Sequence, residues 1–201
     1  MPDFTSAPSV IVLWAVIGYF LGSIPFGLLL SKVMGLGNLR DIGSGNIGAT
    51  NVLRTGSKKA AAATLLVDGG KGAVAVLLAR ALAGDDAAQA AGLLAFLGHC
   101  FPLWLRFKGG KGVATFLGLL LALAWPVGLA ACGTWLLIAV LVRISSLAAL
   151  FAAGSSTFWM LLLGYGQYYF LGIWLTALIV WTHRANLARL RAGTEPKIGT
   201  K

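Results

Sequence analysis

The stretch Ser44-Gly-Asn-Ile-Gly-Ala-Thr-Asn-Val-Leu-Arg54 gathers hydroxyls, amides, glycines and one guanidinium in a chain that is otherwise strongly apolar. Gly45 and Gly48 allow close backbone approach and positive φ. Ser44, Asn46, Thr50 and Asn51 offer neutral donors, and Arg54 offers a planar fork suited to phosphate. Together with exposed backbone N–H groups these make an anion site, strongest beside a low-dielectric wall. Ordinary connecting loops also favour Gly, Ser and Asn. The length of this connection, residues 31–59, argues instead for function.

Two further polar clusters follow. Lys108-Gly109-Gly110-Lys111-Gly112-Val-Ala-Thr115, preceded by His99-Cys-Phe-Pro102, is a basic Gly-rich turn feeding a helix N-terminus, an anion site by geometry and charge. It is no nucleotide loop: Leu105 stands where the first Gly would be, and Gly112 follows Lys111 where Ser or Thr is needed. In His183-Arg-Ala-Asn186 helical spacing puts His183 and Asn186 on one face, able to meet a hydroxyl or phosphate. Glu195, the only glutamate, is expected to pair with a nearby Lys or Arg. Asp68 and Lys71 share a helical face inside an apolar run, where charges pair or mark a cavity. His99 reads as a hydrogen-bonded structural residue before a base. Ser145 and Ser146 either cap a helix or donate to an anion.

The elements that must position these groups are membrane helices. The chain has 201 residues, 58% hydrophobic and 11% charged, with mean hydropathy +0.85. Soluble domains carry about 25% charged residues, and about 20 residues make one span. The expected architecture is all-α and integral to the membrane, a single polytopic domain over 1–201. Its seven spans fall near 7–30, 60–83, 87–105, 112–125, 127–142, 147–164 and 168–183. The 7–30 run has no basic region before it and is read as a retained first helix rather than a signal peptide.

Charge supports that count. Lys32, Arg40, Arg54, Lys58 and Lys59 fall in the first connection, Arg106, Lys108 and Lys111 in the third, and Arg143 in the fifth. Arg184, Arg189, Arg191, Lys197 and Lys201 lie in the tail. Seven spans put all of these on one side, with only Arg80 opposite and Lys71 within a span. The positive-inside rule makes that side cytoplasmic, the N-terminus external and the C-terminus cytoplasmic. The net charge of +10 then reports topology and anionic lipid, not nucleic acid.

Two histidines and two separated cysteines form no metal cluster, and no cofactor motif is present. Neither a Gly-x-Ser-x-Gly elbow nor a His-x4-Asp acyltransferase dyad occurs: Trp104 follows His99 by five, and Ala188 follows His183 by five. The chain is rich in anion holders and poor in acid–base groups.

The three clusters, with Gly22-Ser-Ile-Pro-Phe-Gly27 and Asp68-x-x-Lys-Gly72, resemble the motifs of the bacterial PlsY family over almost the whole chain. The resemblance implies an acyl-phosphate:glycerol-3-phosphate acyltransferase of the bacterial inner membrane. It would carry seven spans and a cytoplasmic active site, and take its donor from an upstream acyl-phosphate-forming enzyme. The products would be lysophosphatidic acid and phosphate, the first step of phospholipid synthesis. It further implies that Ser44 and Arg54 are essential and that the 108–112 glycines bind glycerol 3-phosphate. His183 and Asn186 would support activity, and Glu195 integrity.

On this reading Ser44, the N–H groups from Gly45 to Thr50 and Ser146 cradle acyl phosphate. Arg54, Lys108, His183 and Asn186 hold glycerol 3-phosphate. The competing readings are an anion transporter or channel, disfavoured because the basic groups crowd one face, and a non-catalytic lipid-binding scaffold.

Overall fold

A computed structural model describes residues 5–199, so Lys201 lies outside the described residues. Among the described residues there are helices and no strand. The helices are α1 (Pro8–Gly22), α2 (Phe26–Val33), α3 (Ala49–Leu53), α4 (Lys58–Ala83), α5 (Asp85–Cys100), α6 (Val113–Leu123), α7 (Trp125–Val142), α8 (Ser145–Leu162), α9 (Tyr169–Thr182) and α10 (Arg184–Arg191).

Five helical segments are long and apolar enough to cross a bilayer: Pro8–Val33, Lys58–Ala83, Asp85–Leu105, Trp125–Val142 and Ser145–Leu162. The segments expected at 112–125 and 168–183 are shorter, 11 residues in α6 and 14 in α9. At 1.5 Å per residue they reach about 17 and 21 Å, against about 30 Å of hydrocarbon. Length alone therefore does not give the seven spans.

The first span is not continuous either. It breaks at Ser23-Ile24-Pro25, because Pro25 lacks an N–H and its ring blocks the helix. The exposed carbonyls find partners elsewhere: Trp104 Nε1 donates to Ser23 O at 2.8 Å and Lys71 Nζ to Ile24 O at 2.8 Å.

Small residues set the packing. A Cβ on Gly18 would lie 2.2 Å from Ala91 O, and one on Gly22 1.9 Å from Ala95 O, so α1 and α5 touch backbone to backbone. Gly69 and Gly72 do the same for α4 against α6, facing Ala114 and Thr115. Between these seams Phe96, Phe116, Leu119, Leu120, Val127, Met160, Leu175 and Ile179 form the buried core. Far from the basic loops, Arg80 pairs with Asp85 at 2.8 Å and caps the α6 carbonyls Ala122 and Leu123. Arg80 thus has structural partners.

Candidate functional site

The first connection folds around Asn51, which is 2% exposed. Its Nδ2 donates to Leu39 O at 3.0 Å and Asn46 O at 2.7 Å. Its Oδ1 accepts from Ser44 N and from an Arg54 Nη1 at 3.2 Å. The sequence placed Asn51 among anion donors; its polar atoms instead shape the loop. Gly45 does adopt positive φ, +67°, whereas Gly48 sits at −82° as the N-cap of α3, so that glycine is not required by conformation. Of the backbone donors expected to face an anion, Gly45 N is bonded to Ile42 O and Ile47 N to Asn46 Oδ1. Thr50 Oγ1 lies 3.1 Å from Ser145 Oγ at the start of α8. Ser44 is exposed beside these groups.

The second cluster is pressed against the end of α5. Gly109 N donates to Cys100 O and Gly110 N to His99 O, both at 3.0 Å. A Cβ on Gly109 would lie 2.1 Å from His99 O, and one on Gly110 2.1 Å from His99 Nε2. Gly112 needs its φ of +84° and leaves no room beside the Phe96 ring. These glycines therefore serve close packing, and two of their N–H groups are unavailable to an anion. The first turn of α6 still leaves N–H groups without intrahelical acceptors. Lys108 and Lys111 supply charge.

His99 is buried beneath this turn. Its Nδ1 is 3.6 Å from Asp68 Oδ1, and Lys71 Nζ is 2.8 Å from the same oxygen. Asp68 and Lys71 are therefore a mutual pair, 3% exposed each, which ties α4 to the α1–α2 break.

The third cluster closes on the second. His183, 2% exposed, caps α9 with Nδ1 2.8 Å from Ile179 O. A carbonyl only accepts, so Nδ1 carries a proton, and in the neutral ring Nε2 is then the nitrogen with the lone pair. Thr182 Oγ1 donates to Lys111 O at 3.1 Å. Lys111 Nζ donates to Asn186 Oδ1, and Asn186 Nδ2 donates to Glu195 Oε1, each at 2.5 Å. Glu195 also accepts from Ser146 Oγ at 2.7 Å and pairs with Arg189 Nε at 2.7 Å. The sequence offered Ser146 to the acyl phosphate; here its hydroxyl is engaged by Glu195. Burial alone would raise the Glu195 pKa, but the hydrogen bonds from Ser146, Asn186 and Arg189 outweigh it and hold it below 4.5. Burial lowers the Lys111 pKa to about 8, Glu195 opposing the shift and Arg189 and Arg54 adding to it.

All three clusters border one cleft of about 290 Å³ at the end of the bundle that carries the basic loops. Ser44, Gly45 and Asn46 come from the first, Lys108–Lys111 from the second, Thr182 and Arg184 from the third. Arg40, read from sequence only as a loop charge, joins them. It donates to Gly45 O at 3.2 Å and, by a short contact, to Lys108 O, clasping the first two clusters together. No sequence spacing signals a partner 68 residues away. Arg54, His183, Asn186 and Glu195 do not line it. The arrangement can hold a small anion with phosphate-like oxygens.

Residues 12–193 match the family model described as glycerol-3-phosphate acyltransferase. The chain is 69% identical over 201 residues to the glycerol-3-phosphate acyltransferase of Ruegeria pomeroyi, covering 100% of this chain and 99% of that one. It is 61% identical over 201 residues to that of Cereibacter sphaeroides, covering 100% and 96%. Among solved structures it is similar to the integral membrane glycerol 3-phosphate acyltransferase PlsY in its glycerol 3-phosphate form, with TM-score 0.88 and 39% identity over 94% of this chain and 96% of that one. It is likewise similar to the lysophosphatidic acid form, with TM-score 0.85 and 37% identity over the same shares.

Proposed function

The chain belongs to the glycerol-3-phosphate acyltransferase (PlsY) family of integral membrane enzymes, and from that premise we propose that its acyl donor is acyl phosphate. On this proposal a fatty acyl group passes to the 1-hydroxyl of glycerol 3-phosphate, giving lysophosphatidic acid and inorganic phosphate. The membrane is the bacterial inner membrane, with an upstream enzyme supplying the acyl phosphate. The short helices α6 and α9 complete seven spans, with the N-terminus external and the cleft cytoplasmic; the one-sided distribution of Lys and Arg supports this.

The observation that carries the proposal is the convergence of three basic and amide-rich clusters on one 290 Å³ cleft. Glycerol 3-phosphate and the head of an acyl phosphate each bring about −1.5 to −2 charge. A cleft of that size takes polar heads, so the acyl tail lies in lipid. Acyl phosphate is a mixed anhydride with a good leaving group. The 1-oxygen bonds to the acyl carbon, the carbon–oxygen bond to phosphate breaks, and the hydroxyl proton leaves with the released phosphate or to His183 Nε2. A covalent enzyme intermediate is not needed, and positioning with charge stabilisation supplies the acceleration.

Ser44, Asn46 and the free N–H groups of the first cluster, with Arg40, face one phosphate. Lys108, Lys111 and the first turn of α6 face the other, and Arg54, His183 and Asn186 brace and polarise that wall. Asp68, Lys71 and Glu195 keep the frame.

The test is purified protein given acyl phosphate and glycerol 3-phosphate, with phosphate and lysophosphatidic acid measured together. Stoichiometric release of both is expected. Donor-independent passage of labelled phosphate into liposomes would indicate a transporter instead. Arg54→Lys, which keeps charge but loses the fork, and His183→Gln should both lower turnover. Wild-type kinetics in both would remove these residues from the assignment.

A further inference from the structure

Arg106 and Phe107 adopt left-handed conformations, with φ of 51° and 60°. Each is a conformation that L side chains avoid and glycine accepts. Two in succession without glycine, next to a site, are strain that the surrounding structure enforces. Bonds from Arg106 N to Leu103 O and from Phe107 N to Pro102 O do the enforcing. The result is a Phe107 side chain that is 57% exposed and yet lines the anion cleft.

The rest of the lining explains why that matters. The apolar side chains of the cleft, Cys100, Phe101 and Phe107, all come from one stretch of chain; the other walls are charged, polar or glycine. The same stretch continues to Leu103 and Trp104, 55% and 50% exposed. Trp104 stacks on Phe20 of α1 at 6.0 Å and hydrogen-bonds Ser23 O, so it faces the bilayer at the α1–α2 break. Residues 100–107 thus place apolar side chains both against α1 and on the cleft lining, with the exposed Arg106 between Trp104 and Phe107, and no other stretch supplies apolar side chains to the lining.

We infer that Phe107 is the residue over which the acyl tail of the donor passes from the bilayer into the cleft. This rests on the donor assignment above. The ring covers the methylenes nearest the reacting carbonyl while the phosphate head meets the basic walls. Strain at φ of 60° is retained because glycine, which would relieve it, offers no surface for the tail.

Kinetics with hexadecanoyl phosphate test this. Phe107→Ala is expected to raise the KM for hexadecanoyl phosphate about tenfold, the loss of a few covered methylenes. KM for glycerol 3-phosphate and kcat at saturation should stay within twofold of wild type, and Phe107→Leu should recover most of the donor KM. Phe107→Gly should show the same donor defect with a thermal midpoint no lower than wild type. Equal losses toward both substrates, an unchanged donor KM, or a lowered midpoint in Phe107→Gly would overturn the inference. Wild-type protein that releases no phosphate from hexadecanoyl phosphate would overturn the donor assignment itself.

Discussion

Lys111 titrates where the enzyme can be assayed, and its neighbours set the size of the effect. The move from 10.5 to about 8 corresponds to about 3 kcal/mol against the charged form. At pH 9 about nine in ten copies carry a neutral amine. A charge-assisted hydrogen bond is worth about 1.5–3 kcal/mol, so losing the cation should weaken phosphate capture about 10- to 100-fold. The second phosphate pKa lies near 6, so above about pH 7 the substrates are almost wholly dianionic and their own titration falls below the bend.

The assay is kcat/KM for glycerol 3-phosphate from pH 6.5 to 9.5. Wild type should bend near pH 8 and fall about tenfold per unit toward a lower plateau. Lys111→Arg keeps its charge and should stay flat. Lys111→Met should sit at the lower plateau at every pH. Stability must move the other way. Between about 8 and 10.4 the unfolded chain holds a proton that the folded chain has released, so the thermal midpoint should rise with pH from this group. A flat wild-type profile, or the same bend in Lys111→Arg, would refute the reasoning.

Removing the Glu195 carboxylate strands Ser146, Asn186 and Arg189 at once. Glu195→Ala should cost at least about 2 kcal/mol in thermal or denaturant unfolding, with Glu195→Gln milder. Because its pKa is depressed, this contribution is present above about pH 4.3 and lost as pH falls further, which an acid-unfolding series would show. Lys71→Met removes the cation paired with the buried Asp68 carboxylate, leaving His99 3.6 Å away on α5, and should cost about 3–5 kcal/mol, most of it recovered when Asp68 is also made Leu; a double-mutant cycle reads this. Gly110→Ala drives a methyl into His99 and should cost about 1–3 kcal/mol with loss of turnover. Gly48→Ala meets nothing within 4 Å at an ordinary φ and should change unfolding by less than about 0.5 kcal/mol.

Much of the fold was legible because membrane sequences encode it in one dimension. Apolar runs located the helices, and Gly84, at φ of +99°, divides α4 from α5 in the gap between the runs at 60–83 and 87–105. Apolarity concealed the break at Pro25, since Ser23 and Ile24 are compatible with lipid whether or not they are helical. Pro25 was the available signal, but the partners that make the break tolerable, Trp104 and Lys71, lie 81 and 47 residues away. The same distance in sequence hid Arg40 from the site and gave Ser146 to the substrate when it belongs to Glu195.

The glycines show how one residue type can answer two different requirements. A Gly-rich basic turn satisfies the requirement for a phosphate cradle and the requirement for close backbone packing with the same residues. Here packing claims Gly109 and Gly110 completely, through their N–H groups and through the space a side chain would need. On the proposed function, anion capture at this wall falls to Lys108, Lys111 and the first turn of α6. The turn's glycines act one step removed, by seating those groups against His99 and, through Asp68 and Lys71, against the broken helix that faces the lipid.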